Sequence, residues 1–189
     1  IKIKEVLSNV VSDPSVLAGL DAKKHPLLQK REVQKVGYLV LCSDKGLAGA
    51  YSSNALKMAV AEISECEDEV VVITCGRKAR DFFTRRGFNV IQSHIGFSDR
   101  PTYENAVDIA QDAIKTFANE GFDKLNIIYT VFKTALSQVP TSEVILPVEP
   151  PVKEEGKAQA SFMFEPGEDD TLTVLAPKYL ETVVYAALV

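Results

Sequence analysis

The chain of 189 residues contains no tryptophan, two histidines, two methionines and three cysteines, and each scarcity closes off a kind of chemistry. Cys42, Cys66 and Cys75 are an odd number at spacings of 24 and 9, which fits no zinc or redox motif. They read as reduced thiols of a cytosolic protein. His25 lies in a charged connector and His94 in a loop-like stretch, neither beside an elbow serine, so both read as surface residues rather than catalytic bases. Asp44, Asp99 and Asp108 have neither the spacing of a metal site nor that of an acid/base pair, and no cofactor or metal is expected. No apolar run reaches the roughly 18 residues of a membrane span, and the start lacks the apolar stretch and cleavage site of a signal peptide. Basic excess is missing too: 21 Lys and Arg face 26 Asp and Glu for a net charge of −5, which argues against a nucleic-acid partner.

What is present is the make-up of a folded domain, with 46% hydrophobic and 25% charged residues. Residues 36–42, 70–75 and 125–131 are short, nearly unbroken apolar runs, the pattern of strands covered on both faces. A further short strand is expected at 88–91. Between them run helical stripes. The first is Ala55, Leu56, Ala59, Val60 and Ile63; the second is Ala79, Phe82 and Phe83, ended by Gly87; the third begins at Thr102 with Glu104 close behind and carries Ala106, Ile109, Ala110, Ala113, Ile114 and Phe117 up to Gly121. Strand and helix alternate, which predicts a doubly wound, mostly parallel α/β sheet with helices on both faces. Residues 137–146 and 158–164 then read as strands of a hairpin-like extension, separated by the proline-rich stretch 147–157.

Both ends of the chain carry stripes wider than one sheet needs. Ile3, Val6, Leu7, Val10 and Val11 form one, and Leu172, Leu175, Ala176, Tyr179, Leu180, Val183, Ala186 and Ala187 form the other, widened by Val184, Leu188 and Val189. Left wet, each such side chain forgoes about 1.5–3 kcal/mol, so each stripe calls for a partner helix. Pro177 interrupts the second stripe without changing its phase, which predicts a kink rather than a break. The chain opens at Ile1 without an initiator Met and closes at Val189 inside an apolar run, so both ends read as cut.

Two segments are candidate sites. Residues 44–50, Asp44-Lys45-Gly46-Leu47-Ala48-Gly49-Ala50, follow the first strand, where doubly wound folds hold phosphates. Their spacing fits neither G-x-G-x-x-G nor G-x-x-x-x-G-K-[ST], however, and a structural turn is the better reading. Residues 77–86 place five cations, Arg77, Lys78, Arg80, Arg85 and Arg86, against Asp81. That charge describes the solvated face of a helix, and its functional use would be to meet an acidic partner surface.

The segment Ser43-Asp44-Lys45-Gly46-Leu47-Ala48-Gly49-Ala50, with Asn54 beyond it, resembles the S-D-R-G-L-C-G-G stretch and following asparagine of the gamma subunits of F-type rotary ATP synthases. Gly76-Arg77-Lys78 with Asp81-Phe82-Phe83, residues 129–146, and Phe164-Glu165-Pro166 leading into Leu175-Ala176-Pro177-Lys178-Tyr179-Leu180-Glu181 are similar to that family in the same order. Lys45, Ala48, Ala50 and Ser52 depart from its usual Arg, Cys, second Gly and Asn. The resemblance implies a Rossmann-like globular foot at 36–168, preceded by a connector at 13–35. It also implies remnants of the N- and C-terminal coiled-coil helices at 1–12 and 169–189. The implied role is that of the central rotor stalk, which couples c-ring rotation mechanically to ATP synthesis or hydrolysis on the beta subunits and has no active site of its own. The implied partners are the epsilon subunit, the c-ring loops, and the alpha and beta subunits through the coiled coil. Attachment would be peripheral, at the cytoplasmic face of a bacterial membrane or its organelle equivalent. Phe162, Phe164, Glu165, Arg77 and Arg80 are the candidate partner contacts. The alternative reading is a small-molecule or nucleotide-binding α/β module.

Overall fold

A computed structural model describes residue 27 and residues 31–42, 49–96, 101–132, 138–148 and 168–188, without the side chains of 49–53, 132, 138 and 168–175. The elements in chain order are β1 (Lys35–Leu41), α1 (Gly49–Glu65), β2 (Glu69–Cys75), α2 (Arg77–Arg85), β3 (Val90–His94), α3 (Tyr103–Ala118), β4 (Lys124–Phe132), β5 (Gln138–Leu146) and α4 (Glu168–Leu188). The expected helix at 1–11 and the expected strand at 158–164 lie outside the described residues.

One five-stranded sheet runs in the order β3-β2-β1-β4-β5. β1 pairs in parallel with β2 and β4, and β2 with β3. The strand order reverses at β1, as a doubly wound fold requires. β5 departs from expectation. It is antiparallel to β4 and forms the edge of this same sheet rather than an extension beyond it.

The apolar runs of the inner strands follow from a core on each face. Along β1, Val36, Tyr38 and Val40 join Val72 and Ile128 under Ala55, Leu56 and Ala59 of α1 and Ala79 and Phe83 of α2. Leu39 and Leu41 point the other way. They join Val71, Ile73, Leu125 and Ile127 in the larger core, beneath Ile109, Ala113 and Phe117 of α3 and Ala176, Leu180 and Val184 of α4. Gly37 is needed here because an added Cβ would stand 3.0 Å from Leu125 Cδ1 and 3.1 Å from the Phe122 ring.

β3 begins two residues later than the apolar run predicts. Phe88 belongs to the end of α2, where the N–H of Gly87 (φ 77°) donates to Thr84 O at 3.2 Å and the N–H of Phe88 to Phe83 O at 3.1 Å. This is a Schellman cap, completed by the edge-on Phe83 and Phe88 rings with centroids 5.3 Å apart. The strand then runs on to His94, which is therefore not in a loop. α3 begins as expected at Thr102, which serves as its N-cap with Asn105 as the reciprocal partner. Asn105 Oδ1 accepts from Thr102 N–H at 2.8 Å, and Thr102 Oγ1 accepts from Asn105 N–H at 3.2 Å. At the other end the left-handed residue is Glu120 (φ 61°), not Gly121. Gly121 is demanded sterically, since a Cβ there would run into Thr116 Cγ2 and lie 3.0 Å from Thr116 O. α4 passes through Pro177 as one helix, in keeping with the unbroken phase of its stripe.

Candidate functional site: the basic groove of α2 and the clamp on α4

α2 starts directly after β2 because Gly76 adopts φ 101°, a backbone region costly for any other residue. The N–H of Gly76 donates to His94 O at 2.8 Å, and its carbonyl accepts from Arg80 N–H at 3.2 Å. Ala79 and Phe83 anchor the inner face and are fully buried. Phe82, expected beside them, is only half-buried. It stands on the rim, edge-on to Phe83 at 5.1 Å and beneath the Arg86 guanidinium, 4.0 Å from the ring centroid.

The result is an open groove of about 720 Å³, in which Leu56 and Phe82 supply apolar surface, Arg77, Lys78, Arg85 and Arg86 four cations, and Asp81 the carboxylate. Arg80 does not line it. Its Nε pairs with Asp81 Oδ1 at 3.1 Å, so of the two α2 residues expected at a partner interface, Arg77 borders the groove and Arg80 occupies its carboxylate. Arg77 and Lys78 sit in the first turn, where no acidic residue offsets the positive end of the helix dipole. Phe162, Phe164 and Glu165 lie outside the described residues.

The crevice at the end of β1 is where a doubly wound fold would hold a ligand, but residues 43–48 and Asp99 lie outside the described residues. At its border the Cys42 N–H donates to Cys75 O at 2.9 Å. Burial pushes the Cys42 thiol up to about 12, against a smaller downward pull from Lys78, so this sulfur is protonated and a poor nucleophile at neutral pH. His94 Nε2 lies 3.5 Å from Asp112 Oδ2. Burial draws its pKa below the ordinary histidine value, against the upward effect of Asp112 and Asp108, which leaves the ring neutral. Its Nε2 makes no hydrogen bond among the described residues. His25 and Asp44 are outside them, and no cluster of His, Cys, Asp or Glu among the described residues could hold a metal.

On the opposite face two polar ties escape sequence reasoning. Glu181 is a carboxylate within the apolar stripe of α4, only 9% exposed. Its Oε1 accepts from Gln111 Nε2 at 3.1 Å and its Oε2 from the Tyr103 hydroxyl at 3.3 Å, which ties α4 to α3. The edge-on rings of Tyr103 and Tyr185 extend that contact. Asp123 accepts from Arg31 Nε at 2.8 Å and from the N–H groups of Gln34 and Lys35 at 3.0 Å each. Burial alone would raise its pKa, yet the Gln34 N–H, the Arg31 guanidinium and the Lys35 N–H outweigh it and hold the carboxyl below the usual range. Arg31 also lies 4.2 Å from the centroid of the Phe117 ring. The sequence signal for Glu181 is a carboxylate inside a run that otherwise demands burial; Arg31 and Asp123, far apart in sequence, carry none.

These features define a doubly wound α/β domain whose described residues offer a charged groove on one face and a clamped helix on the other. A family model described as ATP synthase matches residues 1–189, and the chain belongs to that family. It is 39% identical over 190 residues to an ATP synthase gamma chain of Brevibacillus brevis, with 99% of this chain and 64% of that one covered. It is 36% identical over 187 residues to one of Desulfitobacterium hafniense, covering 99% of this chain and 63% of the relative. The chain thus spans less than two thirds of the length of these relatives. Among solved structures it is similar to a central stalk and c-ring structure of Tetrahymena thermophila mitochondrial ATP synthase, with TM-score 0.65, 19% identity, and 99% of this chain and 84% of that chain covered. A rotor structure of the Euglena gracilis mitochondrial ATP synthase gives TM-score 0.58 at 14% identity, covering 98% of this chain and 78% of that one. At these identities the structures speak for the fold alone.

Proposed function

We propose that this chain is the globular part of a gamma subunit, the central rotor stalk of an F-type ATP synthase, and that it couples c-ring rotation mechanically to ATP synthesis or hydrolysis on the beta subunits. The observation that carries the reading is likeness to gamma chains along 99% of the sequence. The geometry supports it. A sheet packed on both faces deforms little, and α4 is fixed to the core on it by Leu180 and Val184 and to α3 by the Glu181 tie, so torque entering the sheet passes into the helix. In this reading the chain performs no bond-making itself. Residues 36–168 form the foot, 13–35 the connector, 1–12 the end of the N-terminal helix and 169–189 the start of the C-terminal helix, the two helices of the coiled coil that reaches the alpha and beta subunits.

The foot meets the epsilon subunit and the c-ring loops, with Phe162, Phe164 and Glu165 as a contact strip and Arg77 and Arg80 as further contacts. Attachment is peripheral, on the cytoplasmic face or its organelle equivalent; no described helix is long and apolar enough to cross a membrane. The test is assembly. The full-length chain is expected to form an active ATPase with matching alpha and beta subunits and to turn an attached bead during hydrolysis. A well-folded chain that neither assembles nor turns would overturn the proposal, as would a tight stoichiometric complex with ATP, ADP or a dinucleotide.

A further inference from the structure

We infer that the groove along α2 is a receptor for an acidic polypeptide segment carrying an apolar side chain between carboxylates. Its charge stands against the balance of the chain, which is −5 overall. Four cations line the groove, and its carboxylate, Asp81, is engaged by Arg80 from outside the lining. Lys78 and Arg85 are seven residues apart, two helical turns, and so stand on one face of α2 with about 10 Å between them along the axis. The partly exposed Phe82 ring lies between them, beside Leu56. Arg86 is already ordered over that ring, 4.0 Å from its centroid, which reduces the side-chain entropy lost when it binds.

The spacing selects the ligand. A phosphate group is gripped where cations and N–H groups converge on one point, whereas here cations flank an apolar patch. An extended chain rises about 3.3 Å per residue, so three residues cover the distance between the two cationic ends. The matching ligand is a segment with acidic residues on either side of a leucine- or phenylalanine-sized side chain. The inference depends on the rotor reading only in taking that segment to belong to a neighbouring subunit. Because binding is measured on the isolated full chain and assembly separately, either can fail without the other.

The probe is a short fluorescein-labelled peptide with Asp-Glu pairs flanking a single leucine, followed by anisotropy. Saturable one-to-one binding is expected, weakened at least about tenfold by the double reversal Arg85→Glu with Arg86→Glu and weakened by added salt. Lys115→Glu, on α3 across the sheet, should leave binding unchanged. Both arginines are exposed, so the reversed protein should keep its thermal transition; if it does not, Arg85→Gln with Arg86→Gln serves instead. Absence of saturable binding, or binding indifferent to both double variants, overturns the inference. So does tighter one-to-one binding of inorganic tripolyphosphate that displaces the peptide, or Arg85-dependent sedimentation with phosphatidylglycerol vesicles when the peptide does not bind.

Discussion

The two faces of the sheet are built for different ends. The α3 and α4 face carries the larger core, closed by a buried carboxylate at Glu181 and a half-buried tie around Asp123. The α1 and α2 face has the smaller core, and its outer surface is a groove lined by four cations and one carboxylate. On the α3 and α4 face Glu181 ties one helix to the other, whereas on the α1 and α2 face a half-buried bond joins Ser142 Oγ to Glu62 Oε2 and Arg77, Arg85 and Arg86 stand exposed. One face holds the chain together, and the other is left to meet something else.

Truncations in each core test that contrast most strongly. Phe83→Ala, at the heart of the smaller core, should cost about 3–5 kcal/mol, and Leu180→Ala, on α4, about 2–5 kcal/mol. The denaturant midpoint measures both. On the proposed rotor role, Leu180→Ala should also loosen the coupling of hydrolysis to rotation in the assembled complex, while Arg85→Glu, on the groove, leaves stability within about 0.5 kcal/mol of the parent.

The polar ties give the next effects. Glu181→Ala removes two hydrogen bonds to a charged acceptor, from the exposed Tyr103 and Gln111, and should cost about 1–2 kcal/mol; a loss no larger than that of an exposed Glu→Ala change would rule out the clamp. Asp123→Asn should cost a comparable amount at neutral pH, but its cost is pH-dependent. The folded carboxyl is held below its ordinary value, so the stabilisation is complete above the unfolded pKa of about 3.9 and is lost as pH falls through the lower folded value. Unfolding of the two proteins as a function of pH should therefore converge in acid, below about pH 4. A gap that stays constant through that range would mean the tie is not ionic.

The smallest effects come from the end of α3. Gly121→Ala forces a Cβ against Thr116, whose hydroxyl is already held by Gln92 and Asp112 O, and should destabilise by about 1 kcal/mol. Glu120→Gly relieves a positive φ and should stabilise by a few tenths, at most about 1 kcal/mol. Thermal shifts of opposite sign at adjacent residues would confirm which one is left-handed.

What is legible in the sequence is whatever a single segment determines by itself. β1, β2 and β4 show as apolar runs because both of their faces are covered, and α3 shows through its stripe and its Thr102 cap. β3 reads two residues early because Phe88 serves the cap of α2, while Gln92, Ser93 and His94 give an edge strand no apolar signature. β5 is visible as a strand, but its place in the core sheet depends on pairing with β4, which no local pattern encodes. Phe82 reads as inward because a stripe of period 3.6 cannot tell the rim from the centre. Of the groove, the charges are legible and the concavity is not, since Leu56 arrives from another helix. The Asp123 tie joins residues distant along the chain and leaves no local trace, while Glu181 shows as a charge inside an apolar run but gives no sign of its partners on α3.

Ala176, Leu180 and Val184 are the buried apolar residues described on α4, and they follow each other in steps of four. Each step overshoots a full turn by about 40°, so the row winds around the helix instead of running straight along it. A helix seated on such a slanting row crosses its support obliquely, and the longer it grows the further its seat rotates out of register. α4 is therefore carried obliquely over the α3 side of the sheet, with Leu188 of its last described turn still packed against the core.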